Sequence, residues 1–319
     1  MKRYDDPELQ ALAERLASSD AGIRRVAVLD LVDSGEPEAA ELLMLALKDP
    51  DPSVRREAAK VVDEFDAAEI ADSLLAALAD PDEVVRNAAA RALADLKDPR
   101  AAVPLLAALE DSRDPFVAAG ILRALKPLRV SQAQAPALAR LRDPEPQVRR
   151  EAVAVLGYLQ NDANLAVLAE HARLDPDPEV RRAAVGALVY GGAEQVGGAL
   201  AAALEDPHWQ VRAEAAVGLG KLRDRSAMTA LINATRDSFW QVREKAAEAL
   251  GSQHAVAAIP ALGVCARDPV SNLRKAAVGA LGEIGHGDGR PFIEEALDDP
   301  DPDVRKLARW AKSKLEAVA

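Results

Sequence analysis

The sequence predicts an all-α repeat protein of about ten helical hairpins, and three observations carry that expectation. The first is an internal period. The phrase Asp-Pro-x-x-x-Val-Arg-x-x-Ala recurs from Asp49, Asp80, Asp143, Asp175, Asp206 and Asp299 in full, and in close variants from Asp237 and Asp268. With degenerate copies at Arg24 and Ala118, the Arg position steps through 24, 55, 86, 118, 149, 181, 212, 243, 274 and 305, a spacing of 31 or 32 throughout. Such a period overrides the prior of roughly 150 residues per domain and marks one array spanning 1–319. The second observation is that apolar residues after the turn fall at offsets 0, 4, 5, 7 and 8 from the Val, one face of a helix. The third is that no segment alternates with period two.

Each element follows from its residues. A segment such as Ala101 to Leu109, rich in Ala and Leu with Pro104 in its first turn, reads as a first helix, A. The Asp-Pro turn follows. Asp51-Pro52, Asp177-Pro178 and Asp301-Pro302 then offer a capping carboxylate and a first-turn Pro to a second helix, B. Gly157, Gly220, Gly251 and Gly282 suit the C-terminal end of helix B.

Composition bounds the function. With 49% hydrophobic and 29% charged residues the chain can build a core and is not disordered. A net charge of −12 opposes a general phosphate-neutralising surface, which argues against nucleic acid. No apolar run approaches the roughly 18 residues of a membrane span. The single cysteine cannot close an internal disulfide, and Met1 to Asp6 lacks the apolar core of a signal peptide, so a cytoplasmic setting is expected.

The run Leu93 to Pro104, joined to the Asp-Pro-x-x-x-Val-Arg phrase, resembles the HEAT repeat, and its subtype resembles the repeats named after phycobilisome lyases. The resemblance covers about Pro7 to Lys314 and implies an α-α superhelix, a HEAT-repeat solenoid, with helix A convex and helix B concave. It also implies a hydrogen-bonded ladder between stacked repeats from the Asp at offset −5 and the Arg at offset +1. In the fourth repeat Ser112 and Ala118 replace both ladder residues. Lys126-Pro127 and the connection Ser131 to Pro136 follow, so residues 111–136 are expected to be a weak joint, through neutral drift or as a hinge.

The exposed centre of helix B, offset 6, reads Leu29, Lys60, Arg91, Arg123, Ala154, Gly186, Val217, Glu248, Gly279 and Trp310. A basic run gives way to small residues. Arg150 and Arg182 at offset 2, with Tyr158 and Tyr190 at offset 10, frame the small positions Ala154, Gly186 and Val217. These are residue types of binding hot spots, although the tyrosines could equally cover seams between repeats. A second candidate surface is the turn edge of repeats seven and eight, His208-Trp209 and Phe239-Trp240, where Trp209 and Trp240 are expected to stack. Trp310 is expected to close the last repeat.

Chemistry finds little to work with. His171, His208, His254 and His286 lie in separate repeats, so no metal site is expected, and Cys265 reads as a small core residue. The HEAT-like deoxyhypusine hydroxylases bind iron through His-Glu pairs, which this chain lacks. Gly285 to Gly289 follows no strand and reads as a connection. The expected function is a non-catalytic protein-binding scaffold or adaptor with no cofactor, its partner being another protein. The alternatives are a phycobilin-lyase-like or cofactor-maturation chaperone, from the subtype resemblance, and a HEAT-like DNA-binding protein.

Overall fold

The ten copies of the repeat become ten hairpins. The computed structural model describes residues 3–65, 67–223 and 225–318, with only the backbone of 63, 67–69, 317 and 318. Among the described residues there are twenty α-helices and no strand, in two compact units, Met1–Leu159 and Gln160–Ala319. The first unit holds α1 (Pro7–Leu16), α2 (Ala21–Asp30), α3 (Ala39–Ala46), α4 (Pro52–Lys60), α5 (Ala67–Ala77), α6 (Glu83–Asp95), α7 (Ala102–Asp111), α8 (Pro115–Leu128), α9 (Gln134–Arg140) and α10 (Pro146–Tyr158). The second holds α11 (Leu165–Leu174), α12 (Pro178–Leu188), α13 (Ala193–Ala203), α14 (Trp209–Leu222), α15 (Met228–Ala234), α16 (Trp240–Ser252), α17 (Ile259–Cys265), α18 (Ser271–Ile284), α19 (Arg290–Glu295) and α20 (Pro302–Val318). Odd numbers are the A helices and even numbers the B helices.

The periodicity of helix B translates directly into burial. On α10, Val148, Ala152, Val153, Val155 and Leu156 are all buried, and Val180, Ala184, Val185, Ala187 and Leu188 repeat the pattern on α12. Within each unit, successive B helices pack on one another, α4 between α2 and α6 and α16 between α14 and α18. The expected caps form where the sequence supplies Asp: Asp51 accepts from Ser53 N, Asp177 from Glu179 N and Val180 N, and Asp301 from Asp303 N.

The glycines near the end of helix B serve a different purpose from the one expected. Gly220, Gly251 and Gly282 lie inside the last turn of α14, α16 and α18, and a Cβ on Gly251 would meet Ala280 Cα of the next B helix at 2.7 Å. They permit close helix approach. The left-handed residue comes three positions later, at Gly35, Arg129, Gln160, Arg223, His254 and Gly285, of which two are glycine.

The Arg and Asp of the repeat form the ladder. Arg55 forks the carboxylate of Asp80 in the next repeat, Nε to Oδ2 at 2.6 Å and Nη2 to Oδ1 at 2.8 Å, while its Nη1 donates to Asp49 O of its own turn at 2.8 Å. Asp80 Oδ1 also accepts from Asp82 N, so one carboxylate closes its own turn and receives the neighbour. The first unit repeats this at Arg24–Asp49, and the second at Arg181–Asp206, Arg212–Asp237 and Arg274–Asp299. At Arg243–Asp268 the rung is a single bond from Nη2 at 2.9 Å.

Because each rung joins an Arg to the Asp of the following repeat, the fourth repeat does not lose a matched pair. It leaves two partners behind, Arg86 facing Ser112 and Asp143 facing Ala118. Arg86 keeps its bonds to Asp80 O and Pro81 O and lies 5.7 Å from the Phe116 ring centroid. Asp143 accepts from Arg140 Nη1 at 3.3 Å, and Arg140 Nη2 reaches back to Leu109 O at 2.5 Å and Ser112 O at 2.7 Å. A guanidinium on α9 thus stands in for the missing rung.

Three substitutions test this packing. Gly251→Ala is expected to cost ~1–3 kcal/mol by overpacking, whereas Arg223→Gly relieves a left-handed residue and stabilises by up to about 1 kcal/mol; urea melts of both variants check the signs. Arg140→Ala removes charge-assisted hydrogen bonds each worth about 1.5–3 kcal/mol, so amide exchange over residues 111–136 should accelerate more than in the α2–α4 repeats. Equal acceleration in both places would contradict the joint.

Candidate functional site

In the first unit the helix B face carries Arg150, Ala154 and Tyr158 on α10, all half-buried. Beside them on α8, Arg123 Nη2 bonds Glu151 at 2.9 Å, and Arg150 Nη2 lies 3.5 Å from the same buried carboxylate. The Tyr158 ring has two cations over it, Lys126 Nζ at 5.4 Å from the centroid and Arg129 Cζ at 5.6 Å. Neither cation was singled out for this site from the sequence. They stand at offsets 9 and 12 of the preceding repeat, so only the register between stacked helices could have placed them against the ring. Further along the face, Arg56 pairs with Asp82 at 2.5 Å, Lys60 lies 3.5 Å from Glu57, and Arg91 is exposed.

In the second unit Arg182 and Gly186 lie on α12, Tyr190 follows that helix half exposed, and Val217 lies on α14. The space beside Gly186 is partly occupied: a Cβ there would stand 3.3 Å from Glu214 Oε1. Arg182 sits between Glu179 at 2.7 Å and that same Glu214 at 3.9 Å. Tyr158 and Tyr190 belong to different units, and each has its own surroundings.

The turn edge of the second unit is aromatic. Trp209 stacks on Phe239, not on Trp240 as expected, with ring centroids 5.6 Å apart and planes 15° from parallel, and Arg212 lies 5.7 Å from the Phe239 centroid. His208 and Phe239 occupy the N-cap positions of α14 and α16, Trp209 and Trp240 the first helical positions. Neither cap residue makes the side-chain bond that Asp51 or Asp177 makes, a loss of about 1 kcal/mol per helix. Phe239 is nevertheless 42% exposed. Just inside α16, Gln241 Oε1 and Arg243 Nε are buried without a hydrogen-bond partner.

Elsewhere, Trp310 of α20 packs against Gly282 and floors a shallow cleft with Gly279, Lys275, Lys306 and Leu307. Cys265 is buried beside Thr235 O, and burial pushes its thiol up to about 11. Among the described residues no group of three or more His, Cys, Asp or Glu is placed to hold a metal ion, and no helix is long and apolar enough to cross a membrane.

Stacked two-helix repeats tied by an Arg–Asp ladder define an α-solenoid architecture. Residues 41–126, 134–198, 198–273 and 259–316 match HEAT repeats. The chain belongs to the HEAT-repeat family. None of the curated proteins matches it. Among solved structures, that of Kap95p binding RanGDP is similar over 99% of this chain and 53% of the matched one, with 15% identity and a TM-score of 0.63. Kap121p bound to Nup53p is similar over 97% of this chain and 41% of the matched one, with 15% identity and a TM-score of 0.56. At such identities the likeness is one of fold.

The ion pairs predict the acid response. The Arg56 guanidinium holds the Asp82 carboxyl down at about 2. For Asp80, Asp206 and Asp237 burial pushes the pKa up, but the hydrogen bonds from the ladder arginines and the turn amides outweigh it, and each stays below its ordinary value. A depressed carboxyl contributes stability that is fully present above the unfolded value of about 3.9 and is lost as pH falls through the folded one. The contribution of these groups to stability should therefore be flat from pH 7 to 5 and decline below about 4, and carboxyl NMR should find Asp82 ionised down to about 2.

Proposed function

We propose that the protein is a non-catalytic scaffold or adaptor of the cytoplasm, its ten repeats acting as one solenoid that binds another protein through the helix B faces and the aromatic turn edge. The observation that carries this reading is the edge. At two consecutive helix starts, where Asp51, Asp114 and Asp177 with a following Pro cap other B helices, the chain has His208-Trp209 and Phe239-Trp240 without a side-chain cap, and Trp209 stacks on a Phe239 that stays exposed. Glu145 and Val270 also leave their helices without a side-chain cap, but of these uncapped starts only the two at His208 and Phe239 carry aromatic surface, the kind that anchors protein partners. The solved structures of Kap121p bound to Nup53p, Pho4p and Ste12p support the reading by analogy of fold.

The subtype resemblance to phycobilisome-lyase repeats supports a second reading, a chaperone that helps load a cofactor into a client. The apolar cleft over Trp310 is where such a group would lodge. Titration with a bilin or haem separates the two: a shifted visible spectrum lost in Trp310→Ala favours the chaperone.

Affinity capture followed by calorimetric titration tests the scaffold. Trp209→Ala with Phe239→Ala, and Tyr158→Ala with Tyr190→Ala, are each expected to weaken the captured partner by at least about 2 kcal/mol, the hot-spot threshold, with helicity unchanged. Unchanged affinity in both double variants overturns the assignment of these surfaces.

A further inference from the structure

The helix B face of the first unit concentrates positive charge that the fold leaves unneutralised. Arg91 on α6, Arg123 and Lys126 on α8, Arg129 at the end of α8 and Arg150 on α10 are five cations on successive B helices of this unit. Arg123 and Arg150 share one buried carboxylate, Glu151. Among the described residues Arg91, Lys126 and Arg129 have no carboxylate within ion-pair distance. Lys126 and Arg129 both converge on the Tyr158 ring. In the ladder and at Arg56–Asp82, by contrast, each guanidinium has a carboxylate of its own. Like charges gathered on one ring repel, and a carboxylate brought between them converts that repulsion into attraction.

We infer that this face, from α8 to α10, is a docking surface for a short acidic peptide segment of the partner protein, whose carboxylates meet Lys126, Arg129 and Arg150 while an adjacent side chain covers the Tyr158 ring. The inference rests on the scaffold reading and narrows its partner. Charge complementarity selects the occupant. A peptide fits better than nucleic acid because the basic cluster is short, because Asp33, Glu64 and Asp95 hold the same offset as Tyr158 in the first three repeats, after α2, after α4 and at the end of α6, and because the chain carries −12 overall. A phosphate backbone extending along the face would run into those carboxylates.

The test uses the full chain and three fluorescein-labelled probes of equal length: a 12-residue peptide of alternating Glu and Ser with one central Leu, the same peptide with Gln for Glu, and a 12-nucleotide single strand. Fluorescence anisotropy at about 50 and 300 mM salt reads the affinities. The acidic peptide is expected to bind, to weaken at high salt, and to lose at least tenfold with Lys126→Gln and Arg129→Gln combined, while Arg225→Gln with Arg236→Gln, which removes the same charge from the second unit, changes affinity less than twofold. The Gln peptide should bind at least tenfold more weakly. Circular dichroism confirms that the variants fold, and Lys126→Gln alone, with an intermediate loss, serves if the double variant does not. Equal loss in both charge-removal variants, no binding of the acidic peptide, or tighter binding of the single strand would each overturn the inference. Failure with a protein partner still captured through Trp209 and Phe239 would leave the scaffold reading standing; peptide binding with no partner ever captured would sink the scaffold reading alone.

Discussion

The bidentate bond between an arginine and the aspartate of the next repeat is the interaction on which the rest depends. A hairpin of two helices cannot bury both of its faces alone, so it needs a neighbour at fixed register. Hydrophobic contact between B helices supplies adhesion but tolerates sliding. The rung does not: Arg55 grips Asp80 with two nitrogens and its own turn with the third, and Asp80 is itself locked to the turn through Asp82 N. Turn and neighbour are therefore fixed by one pair of residues, and this explains why the phrase recurs where the helix faces vary.

That coupling also shows what the sequence could and could not reveal. The repeat number, the two helices of each unit and the buried offsets were legible, because they follow from period and helical geometry within a single copy. The direction of the rung was not, since Arg and Asp of one copy look like partners on paper while the structure joins each Arg forward. The consequence is concrete in the fourth repeat. Two replacements there disable two rungs, and Arg140, which no pattern marks, supplies the repair through Leu109 O, Ser112 O and Asp143.

The glycines teach the same lesson. Within one copy, Gly220, Gly251 and Gly282 look like helix stops. Their reason lies in the neighbouring copy, where Ala249, Ala280 and Ala311 approach too closely for a Cβ. The left-handed cap three residues later is carried by Arg223 and His254 as well as by Gly285, a residue choice that no cap rule would have selected. The candidate surfaces depend still more on neighbours. Tyr158 was visible, but the cations over it come from the preceding repeat, and the room beside Gly186 is narrowed by Glu214 from the following one.

Seen in these terms, the aromatic edge is where the structural grammar of the repeat is relaxed. Asp206 and Asp237 still close their turns and receive their arginines, so the ladder passes through repeats seven and eight. What is lost is the cap two residues further on, and with it nothing that fixes register. A solenoid can therefore vary its N-cap and first helical residues freely, while the ladder Asp and Arg are held. Variation confined to positions that the rung does not need gives a repeat protein its surface for recognition, and His208, Trp209, Phe239 and Trp240 occupy such positions. The basic cluster around Tyr158 follows the same rule, since offsets 2, 6, 9, 10 and 12 leave the rung untouched. Where the ladder itself is altered, at Ser112 and Ala118, the structure responds with a compensating bond from Arg140, so the two kinds of departure have different physical origins.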